Sequence, residues 1–253
     1  MNALTAALSS RAAQRGVLGG VMLLGLWEGS VRAFNLPPYM LPAVTDILVS
    51  IWATRSTLGE AASFTLTEAV LGYALGCAVG IGLAVLMTIL PLTRGIILPV
   101  ATAINSVPVI GYSPLILLWF GIGMASKIVM VVIAVGFTVL LSTLAGLDRV
   151  DASAVNLMRS FGAGRLAILW RLRLPTALPL MLAGMRVSTV RSIIIAIVTE
   201  MLGAYGGLGW VIYQAVLQID FVQVWSAIFV ASAASLMFFG LIGLAERKIL
   251  FWK

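Results

Sequence analysis

Residues 148–179 read DRVDASAVNLMRSFGAGRLAILWRLRLPTALP, a polar and basic island with five arginines in an otherwise apolar chain. Apolar residues at 155, 157, 158 and 161 fall on roughly one helical face, and Gly162 can adopt the left-handed conformation that ends a helix. A second helical stretch from about 164 to 173 follows, and Pro175 suits the first turn of the next helix. The island is therefore predicted to form a helix, a glycine elbow, a second helix and a return into an apolar span.

Composition identifies the surroundings of this island. The chain has 253 residues, 61% of them hydrophobic and 10% charged, with a mean hydropathy of +1.11. Soluble domains carry about 25% charged residues, so we predict an all-α polytopic membrane protein, a single domain over residues 1–253. The net charge of +7 is better explained by anchoring at a negatively charged membrane face than by nucleic acid, so membrane lipid is the expected partner.

Several kinds of chemistry are disfavoured by residue content. The sequence has no histidine, which removes His-based acid–base catalysis and histidine metal ligands. Cys77 is the only cysteine and lies in an apolar run, where we expect a packed thiol. No G-x-x-x-x-G-K-[ST] phosphate-binding loop occurs, so we expect that the chain does not bind ATP itself. We therefore predict no catalytic residue, no metal site and no cofactor bound by this chain.

Six apolar stretches are each near the ~20 residues needed to cross a bilayer. The first carries Glu28, which must face protein or an interface rather than lipid. The third contains Pro99, Pro108 and Pro114, which are tolerated where a helix lines a cavity or packs on protein. The predicted spans are 17–34, 64–90, 96–120, 127–147, 177–202 and 221–244.

Charge asymmetry sets the expected orientation of these spans. Segments on the side of the island carry eleven of the Lys and Arg residues, and segments on the other side carry three. Cytoplasmic loops hold the excess of positive charge, so both termini and the island are predicted to be cytoplasmic. Lys127 falls in an external loop in this arrangement.

Polar residues inside the spans are candidates for a translocation pathway, because they are costly in lipid. Arg186 and Arg191 are five residues apart and face different neighbours; we favour a structural role for Arg186 and leave Arg191 open between pathway and brace. A pathway arginine would favour anionic or strongly hydrogen-bonding solutes. Hydrogen bonds between helices are the alternative for the polar residues of the third span. The candidate pathway set is Asn105, Ser106, Tyr112, Ser113, Arg191 and Glu200.

The island resembles the EAA loop of ABC importer permeases, the binding-protein-dependent transport inner-membrane family. Setting the glycine of that loop on Gly162 puts its Leu-Pro pair on Leu174-Pro175. The name-giving Glu-Ala-Ala triplet falls on Asn156-Leu157-Met158 and is absent. Four further segments resemble the nitrate/sulfonate/taurine/bicarbonate branch of the family: Ser106–Lys127, Gly184–Arg186, Thr199–Ala204 and Gly207–Gly209.

The resemblance implies a type I ABC importer permease fold in a bacterial inner membrane. It implies a homodimer that forms the solute pathway, an extracytoplasmic binding protein that delivers solute, and a separate ATPase that uses ATP and Mg. The solute would be a small anion, a sulfonate or a heterocyclic vitamin precursor. The ATPase would dock on the coupling loop, residues 148–175, through Asn156, Leu157, Met158, Arg159, Phe161, Gly162 and Ala163.

Three alternatives stay open on the sequence. The island could be an ordinary cytosolic loop, positive as such loops are. Its apolar face could lie on the protein's own inner surface. The chain could instead be an autonomous ion-coupled secondary transporter with Glu28, Glu68 and Glu200 as ion-site candidates, although no internal inverted repeat is visible.

Overall fold

The computed structural model describes residues 11–250, apart from the side chains of residues 11–13 and 17. Within that range the chain is helical and contains no strand, which confirms the predicted all-α class. The helices are α1 (Arg11–Ala33), α2 (Val44–Ala53), α3 (Arg55–Ile89), α4 (Arg94–Ser106), α5 (Val109–Phe120), α6 (Met124–Asp148), α7 (Ala152–Ser160), α8 (Arg165–Ile168), α9 (Leu174–Leu202), α10 (Leu208–Leu217) and α11 (Phe221–Ile249).

Four of the described helices are long and apolar enough to cross a membrane: α3, α6, the continuous helix Arg165–Leu202, and α11. The predicted third span, 96–120, is not one straight helix, because α4 and α5 meet at a bend of 100°. Val107 at the break is extended, as expected for a residue that precedes a proline. Pro99 and Pro114 lie inside their helices. The bent pair therefore forms either a broken fifth span or a re-entrant loop.

The first predicted span corresponds to α1, whose 23 residues reach about 35 Å at the helical rise per residue. This helix is not among the four that satisfy both length and hydropathy. Its Glu28 forms an ion pair with Arg32 at 2.7 Å and accepts a hydrogen bond of 2.9 Å from the Thr45 hydroxyl of α2. Glu28 thus contacts protein, as predicted, while a total of six spans depends on α1 crossing the membrane.

The centre of the bundle is formed by α3, α6 and α9, which share a buried apolar core. Three glycines four residues apart bring α3 against α6. A Cβ atom added at Gly72 would lie 2.5 Å from Val131, and one added at Gly80 would lie 2.5 Å from the Gly136 carbonyl oxygen. Small residues at this spacing allow two helix backbones to approach closely, as α3 and α6 do here.

The island folds largely as predicted, with one changed boundary. Asp151 caps α7 by accepting a hydrogen bond of 3.0 Å from the Ser153 amide, and Gly162 follows with φ of +79°. The fifth span was predicted to begin at 177, but α8 continues through a wider π turn, Leu169–Arg173, into α9 without a break. Local π adjustments of this kind re-pair the backbone ahead of a proline such as Pro175.

Candidate functional site

The outward side of α7 is the first candidate site. Val155 is 6% exposed and packs inward, whereas Leu157 is 59% exposed and Phe161 is 82% exposed. The four apolar residues were predicted to share one helical face, and that is wrong for Val155. Residues 157 and 161 are i and i+4 neighbours and form a stripe of their own. The buried side chain of Val155 therefore holds α7 against the protein, and the side chains of Leu157 and Phe161 are exposed on its surface.

The elbow after α7 is closed by two backbone hydrogen bonds. The Gly162 amide donates to the Arg159 carbonyl at 2.9 Å, and the Ala163 amide donates to the Met158 carbonyl at 3.0 Å. A left-handed residue with backward bonds to the last helical turn is the usual end of a helix. Asn156 is exposed beside the apolar stripe, and Arg159 is exposed on the side of α7 that carries Val155. All seven predicted docking residues thus belong to one ordered segment.

A second candidate site surrounds the Arg191 side chain in the middle of the bundle. Its guanidinium donates a hydrogen bond of 3.1 Å to the Thr138 hydroxyl of α6 and one of 3.2 Å to the Asn105 side-chain oxygen of α4. Tyr112 of α5 lies close enough to interact electrostatically with this guanidinium. Hydrogen bonds between three helices thus bring two of the six pathway candidates, Asn105 and Arg191, into contact, with Tyr112 nearby.

The two serines of the pathway set are engaged within their own chain segment. Ser113 is buried, and its hydroxyl donates to the Ile110 carbonyl at 2.8 Å. Ser106 is exposed, and its hydroxyl donates to the Thr102 carbonyl at 2.8 Å. Neither hydroxyl forms a hydrogen bond between helices among the described residues.

Glu200, the sixth pathway candidate, faces the interior of the chain. Its carboxylate accepts hydrogen bonds from the Thr65 hydroxyl at 2.7 Å and from the Gly209 amide at 2.6 Å. Thr65 in turn accepts from the Leu208 amide at 2.8 Å. A carboxylate next to the first amides of a helix is favourable, because those amides lack partners inside the helix. Glu200 therefore fastens the start of α10 to α3 and α9.

Lys127 lies beside this network and is 1% exposed, although the sequence placed it in an external loop. Its ammonium donates to backbone carbonyls of Gly123, Ile122 and Gly203. Glu68, which is 4% exposed, has its carboxyl next to that of Glu200. The sequence analysis named Glu68 and Glu200 only as ion-site candidates of a secondary transporter, and it missed Lys127 as their neighbour. The available signal was three ionisable residues inside apolar segments, since buried charges are normally paired.

Arg186 has the structural surroundings that were favoured for it. Its guanidinium pairs with Glu246 of α11 at 3.3 Å and lies 4.4 Å from the centre of the Phe239 ring. The two arginines of α9 thus face different neighbours. Arg186 joins α9 to the C-terminal end of α11, and Arg191 is held among polar side chains.

Comparison with known proteins is consistent across sequence and structure. Residues 72–250 match the family described as "Binding-protein-dependent transport system inner membrane component". A probable ABC transporter permease protein of Haemophilus influenzae is 30% identical over 91% of this chain and 94% of its own length. The formylaminopyrimidine transport permease protein ThiX of Halalkalibacterium halodurans is 31% identical over 92% and 93%. The taurine transport system permease protein TauC of Escherichia coli is 30% identical over 77% and 73%.

Solved structures extend the agreement to the fold. An amino acid ABC transporter chain superposes with a TM-score of 0.66 at 18% identity, covering 79% of this chain and 97% of that one. A chain of the inward-facing MetNI methionine ABC transporter gives 0.57 at 20% identity, covering 80% and 94%. Taken with the match over residues 72–250, these relatives show that the chain belongs to the inner-membrane components of binding-protein-dependent transport systems, the permeases of ABC importers.

Proposed function

We propose that two copies of this chain form the solute pathway of an ATP-driven importer, and that each copy docks a separate ATPase through residues 148–175. The observation that carries the proposal is the outward stripe of Leu157 and Phe161 on a helix whose opposite side is anchored by Val155. An ordered helix that presents a nearly fully exposed aromatic side chain has the form of a docking element.

The surroundings of the stripe fit the anatomy of an interface. Apolar anchors that enter a pocket supply most of the affinity, and a polar rim excludes water around them. Leu157 and Phe161 are the anchors, and Asn156 lies beside them at the rim, whereas Arg159 lies on the Val155 side of α7. Asn156 stands where the family loop has its glutamate, so an uncharged amide replaces a carboxylate in the contact.

The proposed partners follow from the family and from the charge distribution. An extracytoplasmic binding protein delivers the solute, and the ATPase uses ATP and Mg on the cytoplasmic side. Both ends of the chain are cytoplasmic under the positive-inside rule. Closure of the ATPase dimer pushes the two coupling loops together and rotates the spans as rigid bodies, which alternates the access of the pathway.

The hydrogen-bonding capacity of Arg191 favours a solute that carries hydrogen-bond acceptors. A guanidinium has five N–H donors, and two contacts to Thr138 and Asn105 are found for it among the described residues. We propose a small anion, a sulfonate or a heterocyclic vitamin precursor as the solute. The last two classes match what the names of the taurine and formylaminopyrimidine relatives state for those proteins.

The docking proposal is tested by co-purification. Leu157→Ala combined with Phe161→Ala should lose the ATPase during purification and abolish transport, while the amount of permease in the membrane stays normal. Leu92→Ala is the control, because Leu92 is an even more exposed leucine, in the 3-10 turn Pro91–Thr93 outside the docking stripe. Normal co-purification and transport by the double variant would refute the proposal.

A further inference from the structure

A cavity of about 240 Å³ lies beneath α7, at the cytoplasmic ends of α3 and α6. Four arginines and a single acidic residue line it: Arg94, Arg159, Arg165, Arg173 and Asp148. They come from separate elements, since Arg94 opens α4, Asp148 ends α6, Arg159 lies in the last turn of α7, and the other two follow the elbow. Folding therefore gathers positive charge that is dispersed along the sequence.

The single carboxylate of the cavity is already neutralised. Both terminal nitrogens of Arg94 contact the Asp148 carboxylate, at 2.8 and 3.2 Å. The ion pairs found among the described residues include none for Arg159, Arg165 or Arg173. Three like charges that line one small cavity repel one another, and the repulsion is relieved by an anion between them.

Buried neighbours fix the helices that carry these arginines, although the side chains of Arg159 and Arg165 are exposed. Ile168 and Leu169 are buried, and they share one helical face with Arg165 and Arg173. Arg173 is itself half-buried at the end of the π turn. Arg159 approaches from α7, which buried Val155 holds against the bundle. The guanidinium groups are therefore attached to ordered helices rather than to a free loop.

The cavity suits a small anionic group at the level of the lipid headgroups. Its volume is below the ~300–1,000 Å³ of pockets for drug-sized ligands, and its lining combines arginines with apolar side chains. Guanidinium groups bind phosphate oxygens in a bidentate manner. Basic pockets between spans on the cytoplasmic side are known to receive anionic headgroups.

We propose that this cavity is a binding site for a phosphate group, carried by the headgroup of an anionic phospholipid or present as free inorganic phosphate. The bound phosphate bridges Arg159 of α7 to Arg165 and Arg173 beyond the elbow. It thereby fixes the angle between α7 and the membrane-spanning helices. This site goes beyond the proposed docking function, because its ligand contacts the side of α7 opposite Leu157 and Phe161.

The experiment compares two variants of the full permease purified with its ATPase. The cavity variant carries Arg159→Gln, Arg165→Gln and Arg173→Gln. The control variant carries Arg149→Gln and Arg171→Gln, which remove exposed arginines of the same island that do not line the cavity. Retained phosphatidylglycerol and phosphatidylcholine are counted by native mass spectrometry. Thermal unfolding is measured in phosphate and in chloride at equal ionic strength.

We expect the wild type and the control to retain phosphatidylglycerol over phosphatidylcholine, and the cavity variant to lose that preference by roughly tenfold. A stabilisation by phosphate over chloride that only the cavity variant loses would also support the site, with free phosphate as the source. Arg159→Gln alone should give a partial loss and guards against misfolding of the triple variant. Equal losses in the cavity and control variants would overturn the proposal. So would a cavity variant that releases the ATPase while its lipid and phosphate responses stay unchanged.

Discussion

The elbow at Gly162 can be tested with a pair of identical substitutions two residues apart. Gly162 has φ of +79°, whereas Gly164, the N-cap of α8, has φ of −75° in the extended region. No atom lies within 4 Å of a Cβ added at either position, so steric contact cannot distinguish them. Threonine at 162 is therefore opposed only by the backbone, at about 1–3 kcal/mol for a β-branched residue held in a left-handed conformation. Threonine at 164 is a favourable N-cap.

A backbone strain of that size at position 162 should change the conformation of the elbow without unfolding the helical bundle. Each 1.4 kcal/mol is a tenfold change in an equilibrium, so Gly162→Thr shifts the closed elbow toward other conformations by roughly 5- to 150-fold. We expect transport and solute-stimulated ATP hydrolysis in proteoliposomes to fall strongly for Gly162→Thr, with normal membrane insertion. Gly164→Thr should be close to wild type. Gly162→Asn should recover part of the activity, since asparagine tolerates the left-handed region.

Two results would refute this reasoning. Gly162→Thr could transport as well as the wild type, which would mean that the elbow conformation does not matter for coupling. The two threonine variants could also be equally impaired, which would mean that the segment is sensitive to any side chain rather than to backbone conformation.

Three further predictions concern the spans. Arg191→Gln should assemble normally with its ATPase and show a raised apparent KM for solute uptake; normal uptake or failed assembly would make Arg191 a brace. Glu200→Ala should lower the free energy of unfolding by about 1–3 kcal/mol, because it leaves the buried Gly209 amide without an acceptor and leaves the Thr65 hydroxyl only the Ala61 carbonyl. Thermal unfolding measures this loss, and the exposed Thr67→Val on α3 should change little; equal effects would contradict the network. A reporter fused after Lys253 should be cytoplasmic, and one fused near Gly123 external; the reverse would overturn the orientation.

The sequence predicted the elbow but not the orientation of the helix before it. Gly162 and its distance from Pro175 are local features that one chain segment displays by itself. Val155 and Leu157 are both apolar, and local pattern cannot tell which one meets the spans. Val155 is buried and lines one cavity with the buried Ile168 and Leu169, and that arrangement depends on the rest of the bundle.

The broken span and the buried lysine show the same limit in different ways. All three prolines of 96–120 were visible, yet only Pro108 bends the chain sharply, because proline inside a helix is tolerated where neighbours re-pair the backbone. Lys127 follows a glycine-containing loop and looked external by charge counting. Its burial depends on carbonyls of the loop just before α6 and on the carbonyl of Gly203, which is 76 residues further along the chain. No spacing in the sequence shows that Lys127 and these carbonyls come into contact.

Site-specific cross-linking from α7 tests the docking of the ATPase most directly. Cys77 is the only cysteine and is buried, so Cys77→Ser gives a background in which one introduced thiol can be labelled with a photoreactive group. We predict that labels at Leu157→Cys and at Phe161→Cys form a permease–ATPase adduct, and that a label at Leu92→Cys does not. Adducts from position 92 alone, or none from positions 157 and 161 in a complex that hydrolyses ATP, would contradict the docking of the ATPase on this helix.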